Sequence, residues 1–108
     1  MEKFDESLYL KEMYHDGYYP NLLVDKVKAA LFEVVEFLES GERDINKIQE
    51  QFDKAVLKIN DLETEFEDNN SQIETAARDD IATTVDKILT HFGFNDYDLE
   101  EALREREW

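Results

Sequence analysis

Between Asp44 and Asp68 the apolar residues Ile45, Ile48, Phe52, Ala55, Ile59, Leu62 and Phe66 follow one another at alternating steps of three and four. That spacing lays one narrow stripe along a single side of an α-helix and does not match the two-residue period of a strand. Neither Gly nor Pro interrupts the stretch. At 1.5 Å per residue it would run roughly 37 Å, the span of a small domain. A helix that long, apolar on one side only, has to be covered by other helices. The remaining residues must supply them.

They do so on both sides. Leu23, Val24, Val27, Ala30, Leu31, Val34, Val35 and Leu38 give a broad apolar face over residues 21–40, wide enough for more than one neighbour. Gly41 falls where a helix C-terminus needs a left-handed residue, and Asp44 is an N-cap for the central helix. The short connection between them predicts antiparallel neighbours. Asn69 and Asn70 make the next turn. Ser71 and Glu74 spell a capping box, predicting a helix from about Gln72, with Ile73, Ala77, Ile81, Val85, Ile88, Leu89 and Phe92 on its buried side. Gly93 ends it, with Phe94 placed to fold back. Short helices are predicted at both ends. One covers Glu6 to His15, with Leu8, Tyr9, Met13 and Tyr14, and ends at Gly17. The other follows a second box, Asp98 with Glu101, and carries Leu99, Ala102 and Leu103. Trp108 is expected to dock on the bundle. The expected fold is therefore all-α: one domain over residues 1–108, an antiparallel helical bundle with three long helices and short N- and C-terminal helices. Only 3 Gly and 1 Pro leave little turn chemistry for an all-β alternative.

Charge narrows the partners. With 12 basic and 28 acidic residues the net charge is −16, which argues against direct binding to nucleic acid or to an anionic membrane surface. The same charge favours fast encounter with a basic partner. No Cys is present, so thiolate metal sites and Cys nucleophiles are excluded. Residues Met1 to Tyr18 lack the basic and apolar regions of a signal peptide, and no apolar run reaches transmembrane length. A cytoplasmic location is the expectation.

Three groups of residues invite a functional reading. Asp61, Glu63, Glu65, Glu67 and Asp68 crowd the C-terminal end of the central helix with no basic residue among them. Exposed carboxylates there oppose the helix dipole by roughly 0.3–1 kcal/mol each. Either the next helix and Arg78 neutralise them, or they form an acidic patch for a basic partner or a divalent cation. Tyr14, Tyr18 and Tyr19 belong to a tyrosine-rich corner, which serves either as core or as a binding surface. Glu74 and Arg78, one helical turn apart, read as a structural clamp, or else as an anion site.

Enzyme signatures are sparse. No nucleophile elbow or phosphate-binding glycine loop is present, and the three glycines all sit at predicted helix boundaries. Glu12 and His15 share the spacing of a di-iron ligand pair, but the second such pair is missing: His91 is preceded three residues earlier by Ile88. No catalytic residue and no cofactor is assigned.

The segments Tyr9-Leu10-Lys11-Glu12-Met13-Tyr14, Tyr19-Pro20 with Val24-Asp25-Lys26, Ser71 through Asp79, Phe92-Gly93-Phe94, and the closing Arg106-Glu107-Trp108 together resemble a family of small, acidic bacterial proteins classed only as a domain of unknown function. The resemblance covers most of the chain and implies a compact bacterial helical protein with no known activity. It also implies a Thr-His pair in the central helix. Phe52-Asp53 stand there in this chain, so a catalytic His at that place is not available.

The residues favour a non-enzymatic, acidic protein-binding module of inhibitor or immunity type. A basic partner would meet the acidic run and the tyrosine corner. Two alternatives stand beside it: a metal-binding protein or enzyme using Glu12, His15 and nearby carboxylates, and a structural homodimer. Whether the chain is a monomer or a homodimer stays open.

Overall fold

The computed structural model describes residues 3–108; Met1 and Glu2, where the signal-peptide reading begins, lie outside the described residues. The fold is an all-α antiparallel bundle. After a 3₁₀ turn at Glu6–Leu8 come α1 (Lys11–His15), α2 (Asn21–Glu39), α3 (Ile45–Asp68), α4 (Thr75–His91) and α5 (Leu99–Ala102). Three are long, as the periodicity predicts. The molecule measures 39 × 25 × 19 Å, and α3, about 36 Å by its rise per residue, sets the long axis.

The predicted stripe on α3 is buried from Ile48 to Phe66, while Ile45, at its start, remains half exposed. It joins the apolar face of α2 and the residues Ala77, Ile81, Val85, Ile88 and Leu89 of α4 in one continuous core. α2 and α3 lie side by side as a hairpin, since Gly41 (φ 94°) turns the chain within a few residues. Asp44 caps α3 by accepting the Asn46 N–H at 2.9 Å. At the other end α3 closes in a Schellman turn. Asn70 takes a left-handed φ of 60°, the Ser71 N–H reaches the Phe66 carbonyl, and the Asn70 N–H reaches that of Glu67. The end of α4 repeats the device with Gly93 and Phe94, as its sequence predicts.

Two predicted boundaries are corrected. The segment Glu6 to His15 is not one helix, because Leu10 adopts a left-handed φ of 48° and splits it. Leu10 is fully buried, and its N–H donates to Thr84 Oγ1 at 3.1 Å. One turn on, the Met13 N–H donates to Asp80 Oδ2 at 2.9 Å. The start of α1 is thus capped by two side chains of α4. The second correction concerns α4. Ser71 is buried, its hydroxyl donates to the Tyr18 carbonyl at 3.0 Å and its N–H to the Phe66 carbonyl at 2.8 Å; with that amide taken the predicted capping box does not form, and α4 begins only at Thr75.

The closing segment docks on α3. Asn60 holds it from both ends of its amide, donating to the Glu105 carbonyl and accepting the Glu107 N–H, while Trp108 packs half-buried on the core. α5 is capped by Asp98, which accepts the Glu100 N–H. Glu101 takes no part in the cap. No helix among the described residues is long and apolar enough to cross a membrane.

Candidate functional site

The tyrosine corner and the acidic end of α3 meet in space. Tyr19 is buried and stacks edge-on against Phe66 of α3, with ring centroids 6.4 Å apart, and against Tyr18 at 5.0 Å. Tyr18 is 41% exposed. Its backbone and its hydroxyl are nonetheless fixed: the N–H donates to Asp16 Oδ1 in an Asx turn, the carbonyl accepts from Ser71, and the phenol donates to Glu74 at 3.3 Å. Partial desolvation and the neighbouring Glu74 carboxylate hold the phenol above its ordinary pKa. Tyr14 is half-buried and donates to Asp25 at 2.6 Å. Burial, and then that carboxylate, push its phenol up as well. Of the three tyrosines, then, Tyr18 presents an open ring, Tyr14 a part of one, and Tyr19 belongs to the core.

The five acids of α3 do not form one patch. At 100° per residue, Asp61, Glu65 and Asp68 share one side of the helix, whereas Glu63 and Glu67 point to the other. Glu65 is paired with Lys26 of α2 at 2.5 Å. Glu63 is half-buried near Glu107, and desolvation followed by repulsion from Glu107 and Glu67 raises its pKa. The acids bonded to the corner are Asp16 and Glu74 at Tyr18 and Asp25 at Tyr14; sequence reasoning paired Glu74 with Arg78 and gave Asp16 and Asp25 no role. The signal for Asp16 was present, since an Asp two residues before a turn amide is the pattern of an Asx turn. Asp25 and Glu74 are brought in by tertiary structure. Leu22, in the first turn of α2, adds a side chain 70% exposed.

The predicted Glu74–Arg78 clamp is not closed. Glu74 accepts from Tyr18, and Arg78 donates to Thr75 Oγ1 at 3.2 Å on the exposed side of α4. Glu12 and His15 border one depression of about 260 Å³ with Asp16 and Tyr19. Among the described residues no group of three or more His, Asp or Glu side chains converges to hold a metal ion.

The electrostatics of the whole surface follow from where the cations go. Among the described residues, six Lys and Arg are engaged in ion pairs: Lys26–Glu65, Lys28–Glu6, Lys47–Glu42, Lys58–Glu33, Arg104–Asp53 and Arg106–Glu100. The field presented outward is therefore strongly negative, and the corner around Tyr18 is an exposed aromatic set among carboxylates.

A model of a protein family described as a family of unknown function (DUF5713) matches residues 3–108. No curated protein and no solved structure matches the chain.

Proposed function

The chain belongs to the DUF5713 family of unknown function, and we propose, from its geometry, that it is a non-enzymatic docking module for a basic protein, of the inhibitor or immunity kind, acting in the bacterial cytoplasm. The observation that carries this reading is Tyr18, an exposed ring whose backbone and hydroxyl are already fixed by Asp16, Ser71 and Glu74. An aromatic anchor held in place before binding loses little entropy on contact, and tyrosine is among the residues that most often dominate interface energetics. Asp16 and Glu74 at Tyr18, with Asp25 at Tyr14, supply the acidic rim, which steers a basic partner in and fixes its register more than it adds affinity.

The test uses the full chain, immobilised and exposed to an extract of its source cells at low and high salt. A retained basic protein that is released as salt rises supports the proposal, provided Tyr18→Ala weakens its binding roughly thirtyfold, as loss of a hot spot of about 2 kcal/mol would. Retention of no salt-sensitive basic protein overturns it. So does a partner that binds Tyr18→Ala as tightly as the wild type.

A further inference from the structure

Residues 104–108 lie along α3 as a strap. Asn60 anchors it, donating to the Glu105 carbonyl at 2.8 Å and accepting the Glu107 N–H at 3.0 Å. Trp108, the single tryptophan of the sequence, follows directly and packs half-buried against the core. These contacts favour docking of the strap. One group on α3 opposes it.

Glu63 stands three residues beyond Asn60, close to Glu107 of the strap and to Glu67 of its own helix. Among the described residues no donor reaches its buried Oε1, and no acceptor reaches the buried Trp108 Nε1–H. Nor does any Lys or Arg among them pair with Glu63. Arg104 and Arg106 of the strap are held by Asp53 and Glu100, and Arg78 at the start of α4 donates to Thr75. The short helix α5 brings the carboxylates Glu100 and Glu101 and no cation. An ionised carboxylate is destabilising in such a place, because its oxygen is shielded from solvent with no donor in exchange and a second carboxylate is held nearby. With the strap off α3, Glu107 would no longer be held beside it.

We propose that residues 104–108 form a proton-controlled latch, docked tightly on α3 when Glu63 is neutral and loosened, releasing Trp108 toward water, when Glu63 and Glu107 are both charged. The sign follows from linkage. Desolvation, then repulsion from Glu107 and Glu67, hold the Glu63 carboxyl above its ordinary value of 4.5 in the docked state. An acid raised in one state favours that state fully below its ordinary value, and the preference is lost as pH rises through the raised value. The latch therefore tightens on acidification and loosens toward neutrality. It does not depend on the docking surface around Tyr18.

Trp108 itself reports the state of the latch. The experiment follows its emission maximum and its quenching by acrylamide in the full chain from about pH 8 to about pH 5, with far-UV circular dichroism on the same samples. That interval stays above the isoelectric point of about 4.3. As pH falls, emission should move to shorter wavelength and quenching should drop, with helicity unchanged. Glu63→Gln, a neutral isostere, should show the docked values throughout and so lose the shift. Glu107→Gln removes one of the repelling charges and should move the transition to lower pH. Asn60→Ala removes the anchor and should raise quenching at the acid end, where the wild type is docked. A flat wild-type profile, a shift retained in folded Glu63→Gln, a transition unmoved by Glu107→Gln, wild-type quenching in Asn60→Ala, or a shift accompanied by loss of helicity would overturn the proposal.

Discussion

Asp80 is only 7% exposed, yet its carboxylate serves a helix to which it does not belong, accepting the Met13 N–H from α1. Thr84, one turn later, accepts the Leu10 N–H and returns its own proton to the Asp80 carbonyl. These are two polar residues on the buried side of α4, and each is there to satisfy a backbone group that α1 leaves unpaired. Asp80→Ala orphans the Met13 amide in a dry site and should cost about 1–3 kcal/mol in urea unfolding. Asp80→Asn keeps an acceptor and should cost less. Desolvation, partly offset by the Met13 hydrogen bond, raises the carboxyl above its ordinary value of 3.8. A raised acid favours the folded state most when protonated. Its contribution is complete below 3.8 and declines as pH rises through the raised value. Relative to Asp80→Asn, the wild type should therefore lose stability over that interval; a difference that stays flat with pH would contradict this.

At the scale of elements, the stop signals of the helices were legible and one start signal misled. Gly41, Gly93 and Phe94 act at helix ends where their residue types place them, because a left-handed C′ position is a local requirement. The Ser71–Glu74 box failed for a reason outside its own segment. The box needs the Ser71 N–H to donate to the Glu74 side chain, but that amide is taken by the Phe66 carbonyl in closing α3, and Glu74 accepts from Tyr18 instead. The break at Leu10 was equally invisible: no propensity predicts a left-handed leucine, and only its burial and its bond to Thr84 hold it there. Asn70 offers a direct check. Asn tolerates the left-handed region better than other residues with a Cβ, so Asn70→Ala should cost about 1 kcal/mol while Asn70→Gly stays within a few tenths. Thermal melts of the two variants would show it, and equal melting temperatures would count against the Schellman turn as a stabilising unit.

At the scale of the molecule, the charge told the sign of the surface but not its arrangement. Composition gives −16. That Lys26 and Lys58 would be spent on Glu65 and Glu33 between α2 and α3 depends on the register of the hairpin, which the stripes alone do not set. For the same reason the run from Asp61 to Asp68 looked like one patch in sequence and divides over two sides of a helix in space. The cleft of about 610 Å³ between the first turn of α3 and the segment joining α4 to α5, beside Tyr97, had no sequence signal, since its two walls lie some fifty residues apart.

The clasp between α1 and α4 also orders events in time. Its two hydrogen bonds join residues 67 and 74 positions apart, whereas α2 and α3 are neighbours along the chain. Closing the long loop costs more entropy than closing the short one, so the hairpin can condense first and the N-terminal segment lands on a nearly finished surface. Removing the clasp with Asp80→Ala should then quicken unfolding and leave the refolding rate almost unchanged in stopped-flow measurements. Slower refolding of equal size would place the clasp in the folding nucleus instead.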